Sequence, residues 1–269
     1  MFGKINHIVK NIFWFRICNY LTSYYKFVKL KTYTMKRLFL IALILIIGTN
    51  ITIAQNITNK QFALTRYELK ISDEFREDLE PLKNFINNTE VRTENKEDKL
   101  KAIMIHHIYY HLKERFEEDL DVDIIPRNSF GDKARYNDYG YPRIGISKAL
   151  RKGSATFYFK IDVEITSKTE ERIDNDPKLK EIDKDIFFPH IITKVTIYND
   201  EGIIPVAKWR GEKITYEPVY VNKRLFRGFT DDYDLPPKPE LEEGEKEQDS
   251  LFDMYDETVN EMITSFLED

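Results

Sequence analysis

Apolar and polar residues follow two periods along this chain, and the change from one to the other marks out its elements. From Gln61 to Ile71, residues Ala63, Thr65, Tyr67, Leu69 and Ile71 alternate with Arg66, Glu68 and Lys70, the period of a half-buried strand. Ser72, followed by Asp73 and Glu74, predicts a helix start, because a side-chain oxygen and acidic groups suit the free N–H groups of a first turn. Phe75, Leu79, Leu82 and Ile86 recur at helical spacing, and Pro81 must kink or divide that element. The strongest helical stripe runs from about Lys96 to Asp119 through Leu100, Ile103, Met104, Ile108, Leu112 and Phe116.

A short strand, Leu120–Ile125, follows and is stopped by Pro126. Residues 127–143 read as a loop, and Ile144–Lys152 as a short helix closed by Gly153 in a left-handed cap. Three further strands are predicted. The first carries Ala155, Phe157, Phe159, Ile161, Val163 and Ile165 on one face. The second spans Ile191–Tyr198 and the third Ile203–Trp209, joined as a hairpin by Asn199-Asp200-Glu201-Gly202 with a positive φ expected at the glycine. Residues 168–189 form a charged excursion, and Thr230–Asp249 read as a Pro-rich, acidic linker. Leu251, Tyr255, Val259, Met262, Ile263, Phe266 and Leu267 predict a closing amphipathic helix capped by Asp249 or Ser250. Helices before and after a run of strands point to an α+β fold: a two-layer domain, amphipathic helices on a mostly antiparallel sheet, with a C-terminal helix.

Charge changes the picture at the N-terminus. Residues 1–54 hold eight Lys and Arg and no acidic residue; the remaining 33 basic and 46 acidic residues leave the rest at −13. Met35-Lys36-Arg37 precedes the ten apolar residues Leu38–Ile47, and Thr52-Ile53-Ala54 supplies the small residues of a cleavage site. Ten residues fall well short of the ~20 of a spanning helix. The organisation expected is a non-native or untranslated extension over 1–34, a signal peptide over 35–54, and one α+β domain over 55–269. The basic residues ahead of the apolar run keep the N-terminus inside and send the body to the periplasm or outside the cell. An uncleaved signal segment would be its sole membrane anchor. The lone Cys18 lies in the extension, so the exported body has no thiol nucleophile, redox pair or acylated lipoprotein cysteine.

Two clusters carry candidate chemistry. His107 and His111 stand one helical turn apart with Glu114 beyond them, a metal-pair spacing; however, the zinc-peptidase pattern needs Glu where this chain has Ile108. The helical stripe predicts that both imidazoles turn toward the sheet, so no metal and no cofactor is expected. Tyr136-Asn137-Asp138-Tyr139-Gly140-Tyr141 is the best binding candidate, since Tyr presents a rigid apolar face with a polar tip suited to a sugar or a peptide. The bland alternative is a turn whose tyrosines pack back on the sheet edge. The acidic runs Asp174-Asn175-Asp176 and Asp231-Asp232-Tyr233-Asp234 lack the offsets and glycine of a calcium loop. No phosphate loop, nucleophile elbow or dinucleotide fingerprint is present, and a charge of −13 disfavours nucleic acid.

These features predict an exported bacterial envelope protein that binds an envelope protein or a glycan without catalysis. The alternative is a secreted hydrolase whose acid and base are carboxylates distant in sequence. N-terminal sequencing of the protein from its native cell is expected to begin at or near Gln55. An intact Met1 in the soluble cytoplasm would refute export.

Overall fold

The alternating stretches form the strands of one mixed sheet, as a computed structural model describing residues 57–91, 97–175, 186–230, 235–236 and 247–268 shows. All of these belong to one unit, Ile53–Asp269. The expected signal segment, residues 92–96 and most of the predicted linker lie outside the described residues. No described helix is long and apolar enough to cross a membrane.

Strand β1 (Gln61–Ile71) pairs in parallel with β5 (Phe157–Ser167), followed antiparallel by β7 (Pro189–Asn199) and β8 (Ala207–Ile214). The other edge of β1 takes two short pieces, β2 (Asp123–Ile124) in parallel and β4 (Pro142–Arg143) antiparallel, with β3 (Arg135–Tyr136) beyond β4. Strands β6 (Ile186–Phe187) and β9 (Val219–Tyr220) pair separately. The helices are α1 (Asp73–Asp78), α2 (Lys83–Asn88), α3 (Lys99–Asp119), α4 (Ile146–Lys152), α5 (Thr169–Asn175) and α6 (Leu251–Glu268). This is the expected α+β arrangement, with helices packed on a mostly antiparallel mixed sheet and a helix at the C-terminus.

Local chemistry sets the helix boundaries. The Ser72 side chain accepts from Phe75 N at 3.2 Å, and Pro81 sits in a 3₁₀ turn that separates α1 from α2. Asp98 caps α3 by accepting from Lys101 N at 3.1 Å, and it also takes both terminal nitrogens of Arg76, at 3.0 and 2.7 Å. At α6, Ser250 Oγ accepts from Asp253 N while Asp253 accepts from Ser250 N, a reciprocal cap.

The main core lies between the sheet and helices α3 and α6. Phe159, Val163, Ile191, Val195, Leu112, Tyr255, Val259 and Met262 are fully or almost fully buried in it. Phe159 and Ile161 are 0% and 1% exposed, as the alternation predicts. A second cluster sits behind the sheet, where α4 and Phe130 cover Ala63 and Tyr158.

Four local readings are corrected. A bulge at Thr65 shifts the pairing of β1 with β5 between Leu64 and Arg66. Phe62 and Leu64 therefore face the main core before it, and Tyr67 and Leu69 after it, whereas Ala63 faces the second cluster. The third predicted strand begins late. Ile203 and Ile204 lie exposed in the connection, 58% and 78%, because Pro205 has no N–H to donate and pairing resumes only at Ala207 with Ile197. Neither Gly202 nor Gly153 has positive φ. At Gly153 the requirement is steric, since a Cβ would lie 2.7 Å from the Tyr158 hydroxyl. Leu267 is 61% exposed and leaves the apolar face of α6.

Helix α6 lies directly on β8. A Cβ at Gly211 would come within 1.7 Å of the Thr258 carbonyl oxygen, and below this contact the hydroxyls of Thr193 and Thr258 are hydrogen-bonded at 2.7 Å, fully buried. Gly211→Ala is expected to push the helix off the sheet and cost about 3 kcal/mol in urea denaturation. Phe159→Ala is expected to lose on the order of 2–5 kcal/mol through lost transfer energy and the cavity left behind. A cost below about 1 kcal/mol at either position would contradict the packing described.

Candidate functional site

Helix α3 is the spine of the site. Its sheet-facing stripe is buried, while Ile103, His106, His107, Tyr110 and Glu114 recur at three- and four-residue spacing on another side. That side forms one wall of a groove of about 1380 Å³. The opposite wall comes from α2, through Phe85 and Asn88, and from the chain between Lys223 and Thr230.

That second wall is held in place by its own bonds. Asn222 Oδ1 accepts from Arg224 N at 2.9 Å, capping a 3₁₀ turn over Lys223–Phe226. Arg227 pairs with Asp253 at the start of α6, and also with Glu247 at 2.9 Å. Gly228 takes φ +86°, and a Cβ there would meet the Phe252 ring at 2.7 Å, so only glycine satisfies both backbone and space. Phe229 then stands edge-on to Phe252, with ring centroids 5.3 Å apart, and His107 stands edge-on to Phe229 at 6.1 Å.

The tyrosine loop meets α3 at His106, the neighbour of His107. The Nδ1 of His106 is 2.7 Å from the Tyr141 hydroxyl, which joins the histidine run of α3 to the tyrosine loop. Tyr141 is buried against Tyr67 and Tyr109, with ring centroids 4.7 and 4.9 Å away, and burial raises the phenol pKa of all three above the ordinary tyrosine range. Burial, reinforced by the nearby charge of Arg127 and by His107, lowers His106 from 6.5 to about 4. The imidazole is therefore neutral at pH 7. The tautomer that fits has the Tyr141 O–H donating to Nδ1 and the imidazole proton on Nε2.

Arg127 lies beside this pair, its guanidinium 5.1 Å over the ring of Tyr141. It is half-buried, and its Nη1 is sealed from solvent without a hydrogen-bond partner. Arg127 and Tyr110 also line a second cleft of about 510 Å³, together with Pro126, Asn128 and Tyr136. The two residues thus form a partition between two concave surfaces. Tyr110 is 52% exposed, with its ring edge-on to Tyr109 at 5.4 Å.

The predicted loop residues are spread over different roles. The Asn137 Oδ1 accepts from Tyr139 N at 3.1 Å and Tyr141 N at 2.9 Å, shaping a turn that Gly140 completes at φ +76°. Tyr139 is buried under Lys101, whose ammonium is 5.6 Å from the ring centre, and Asp138 is exposed. Tyr136 donates to Gly131 O at 3.2 Å and borders the second cleft. The three tyrosines do not form a common stacking surface.

The histidines also divide. His107 is exposed in the groove, contrary to the expectation that it turns to the sheet, because the wall formed by residues 223–230 stands away from α3 and leaves that helix face open. His111 is half-buried against Phe252, with Nε2 2.7 Å from Asp256 Oδ1. Asp256 in turn accepts from Arg115 at 3.1 Å and Asn260 at 2.9 Å. Glu114 is exposed at the groove. Among the described residues no three His, Cys, Asp or Glu side chains stand together as metal ligands. Arg127 and Tyr110 carry no spacing signal that sequence reasoning could use, since one follows a proline in a loop and the other sits beside a buried tyrosine.

The depressed pKa of His106 makes stability depend on pH. The unfolded chain takes up a proton near pH 6.5 and the folded site only near pH 4, so stability is full above about 6.5 and falls as pH drops toward about 4. In urea titrations over that window, His106→Gln is expected to lose less stability than the wild type, so that the gap between them narrows with acidification. Parallel curves would contradict the buried neutral imidazole.

No known protein family and no curated protein sequence matches the chain, so the site is read from its own residues.

Proposed function

We propose that this protein is exported to the bacterial envelope and acts there as a non-catalytic binding module, holding a segment of protein or glycan in the groove along α3. The observation that carries this reading is the groove itself. At about 1380 Å³ it exceeds the ~300–1,000 Å³ usual for small-molecule sites, which favours an extended ligand. Its lining mixes aromatic edges (Phe85, Tyr110, Phe229) with imidazole and amide groups (His107, Asn84, Asn88), suited to holding a polar polymer by both its faces and its hydroxyl or amide groups. Export is supported by the basic, acid-free leader and its short apolar run.

The hydrolase alternative needs one carboxyl group kept protonated by burial opposite another that stays ionised. The two carboxylates that line the groove, Glu90 and Glu114, are both exposed. Neither is enclosed in a deep cleft opposite the other, which favours binding over catalysis.

The test uses immobilised protein from Gln55 onward and solubilised envelope material. Asn88→Trp, at an exposed position of the groove, is expected to reduce capture of the wild-type ligand by about tenfold or more while leaving thermal stability unchanged. Undiminished capture by that variant would move the site elsewhere. Cleavage of the captured polymer that stops in Glu114→Gln would replace the binding reading with the hydrolase.

A further inference from the structure

We propose that the polymer held in the groove is an acidic glycan, and that Arg127 receives the carboxylate of a uronic-acid residue stacked on Tyr110. This rests on the binding reading above and specifies its ligand. The starting point is the state of Arg127. A guanidinium whose Nη1 is buried without a partner is unfavourable, because a charged donor has been taken from water and given nothing in return. Among the described residues no carboxylate pairs with it, whereas other half-buried arginines do have one: Arg76 with Asp98, Arg115 with Asp119, and Arg224 with Glu247. The Tyr141 side chain, under the guanidinium and hydrogen-bonded to it, offsets part of that cost but leaves Nη1 without an acceptor.

The place of this charge matters as much as its lack of a partner. Arg127 borders both clefts, so an oxyanion arriving along either meets the same guanidinium. With Nη1 sealed, the remaining N–H groups of the planar fork are what Arg127 offers a carboxylate at the clefts it lines. Local charge supports an anion. His106 beside it is neutral and does not compete for a carboxylate, while Lys223 adds a second cation along the same groove. Among the described residues that line the groove the carboxylates are Glu90 and Glu114, both of which face water.

The choice of sugar over acidic peptide follows from the walls. They are mostly helix and 3₁₀ turn, and among the described residues no strand edge borders the groove to pair with a peptide main chain. Recognition must come from side chains. Tyr110 presents a half-exposed ring beside Arg127, and Asn84, Asn88 and His107 provide planar donors and acceptors for hydroxyls. A ring stacked on Tyr110 with its carboxylate at Arg127 uses both residues of the partition at once.

The experiment is calorimetric titration of the protein from Gln55 onward with trigalacturonate, its methyl ester and an uncharged galactose trimer. Trigalacturonate is expected to bind at least about tenfold more tightly than the ester, with the preference abolished in Arg127→Gln and only partly kept in Arg127→Lys, which loses the planar fork. Tyr110→Ala is expected to weaken acid and ester alike, by about tenfold, since stacking does not depend on charge. Arg127→Gln gives up the contact with Tyr141 but no partner of Nη1, so it is expected to lower the thermal midpoint only modestly and to keep one cooperative transition, which separates lost binding from lost folding. Equal affinity for acid and ester, unchanged in Arg127→Gln, would overturn the role of Arg127 and leave the groove as a neutral-glycan site. If none of the three saccharides binds while an acidic hexapeptide does so through Arg127, the ligand class is wrong although the groove reading stands. If capture of envelope material is also indifferent to Asn88→Trp, both fall.

Discussion

Parallel strands cannot be joined by a tight turn, and the parallel pairing of β1 with β5 places most of the candidate site in the connection between them. The chain leaves β1 at Ile71 and must return to the same end of the sheet before β5 begins at Phe157. It does so through α1, α2 and α3, then the loop that carries Arg127, then the turn around Gly140, and finally α4. His106, Tyr110, Arg127 and Tyr141 all belong to this crossover. The sheet registers its two ends, and the helix length of α3 fixes where the histidines stand relative to the loop. The part of the opposite wall formed by residues 223–230 lies outside the crossover and is tied down by Arg227 to the start of α6. The groove is thus the seam between an early and a late part of the chain, joined through one sheet.

The elements with strong periodicity were legible from residues alone. β1, α3, β5, β7 and α6 follow from spacing, and Ser72, Pro81 and Ser250 act at the boundaries their chemistry predicts. The failures have a common physical origin, in that the deciding contact comes from a distant element. The bulge at Thr65 is silent because Phe62 and Leu64 on one parity and Ala63 on the other are all apolar, so either face satisfies a core. Strand β8 carries charged residues on its open side and a glycine toward the core, which hides the alternation that the helix above it imposes. The apolar run Ile203–Val206 looks more strand-like and is not one.

For the site, sequence picked out two separate clusters and assigned them unrelated roles. The hydrogen bond between His106 and Tyr141 makes them one structure, and it does so by burying the tyrosine that had been the binding candidate. Residues suited to stacking by type are here spent on fixing a histidine and a helix. The groups left to meet a ligand, Tyr110, His107 and Arg127, are ordinary in sequence and distinctive only by exposure or by lack of a partner for one nitrogen. Burial and pairing are tertiary quantities, and no local spacing encodes them.

Strand β8 also bears on how the sheet ends. An outermost strand exposes unpaired amides that invite another chain to add on. Here the Glu212 N–H donates to Glu261 of α6 at 2.8 Å, and Lys213 pairs with Glu257 of the same helix. The close seat of α6 over Gly211 is what brings those carboxylates within reach of the border. At the opposite border β2, β3 and β4 are two residues each, too short to template a partner. The helix that completes the core therefore also occupies part of the sheet's last edge, and a single glycine couples the cover of that edge to the packing of the core.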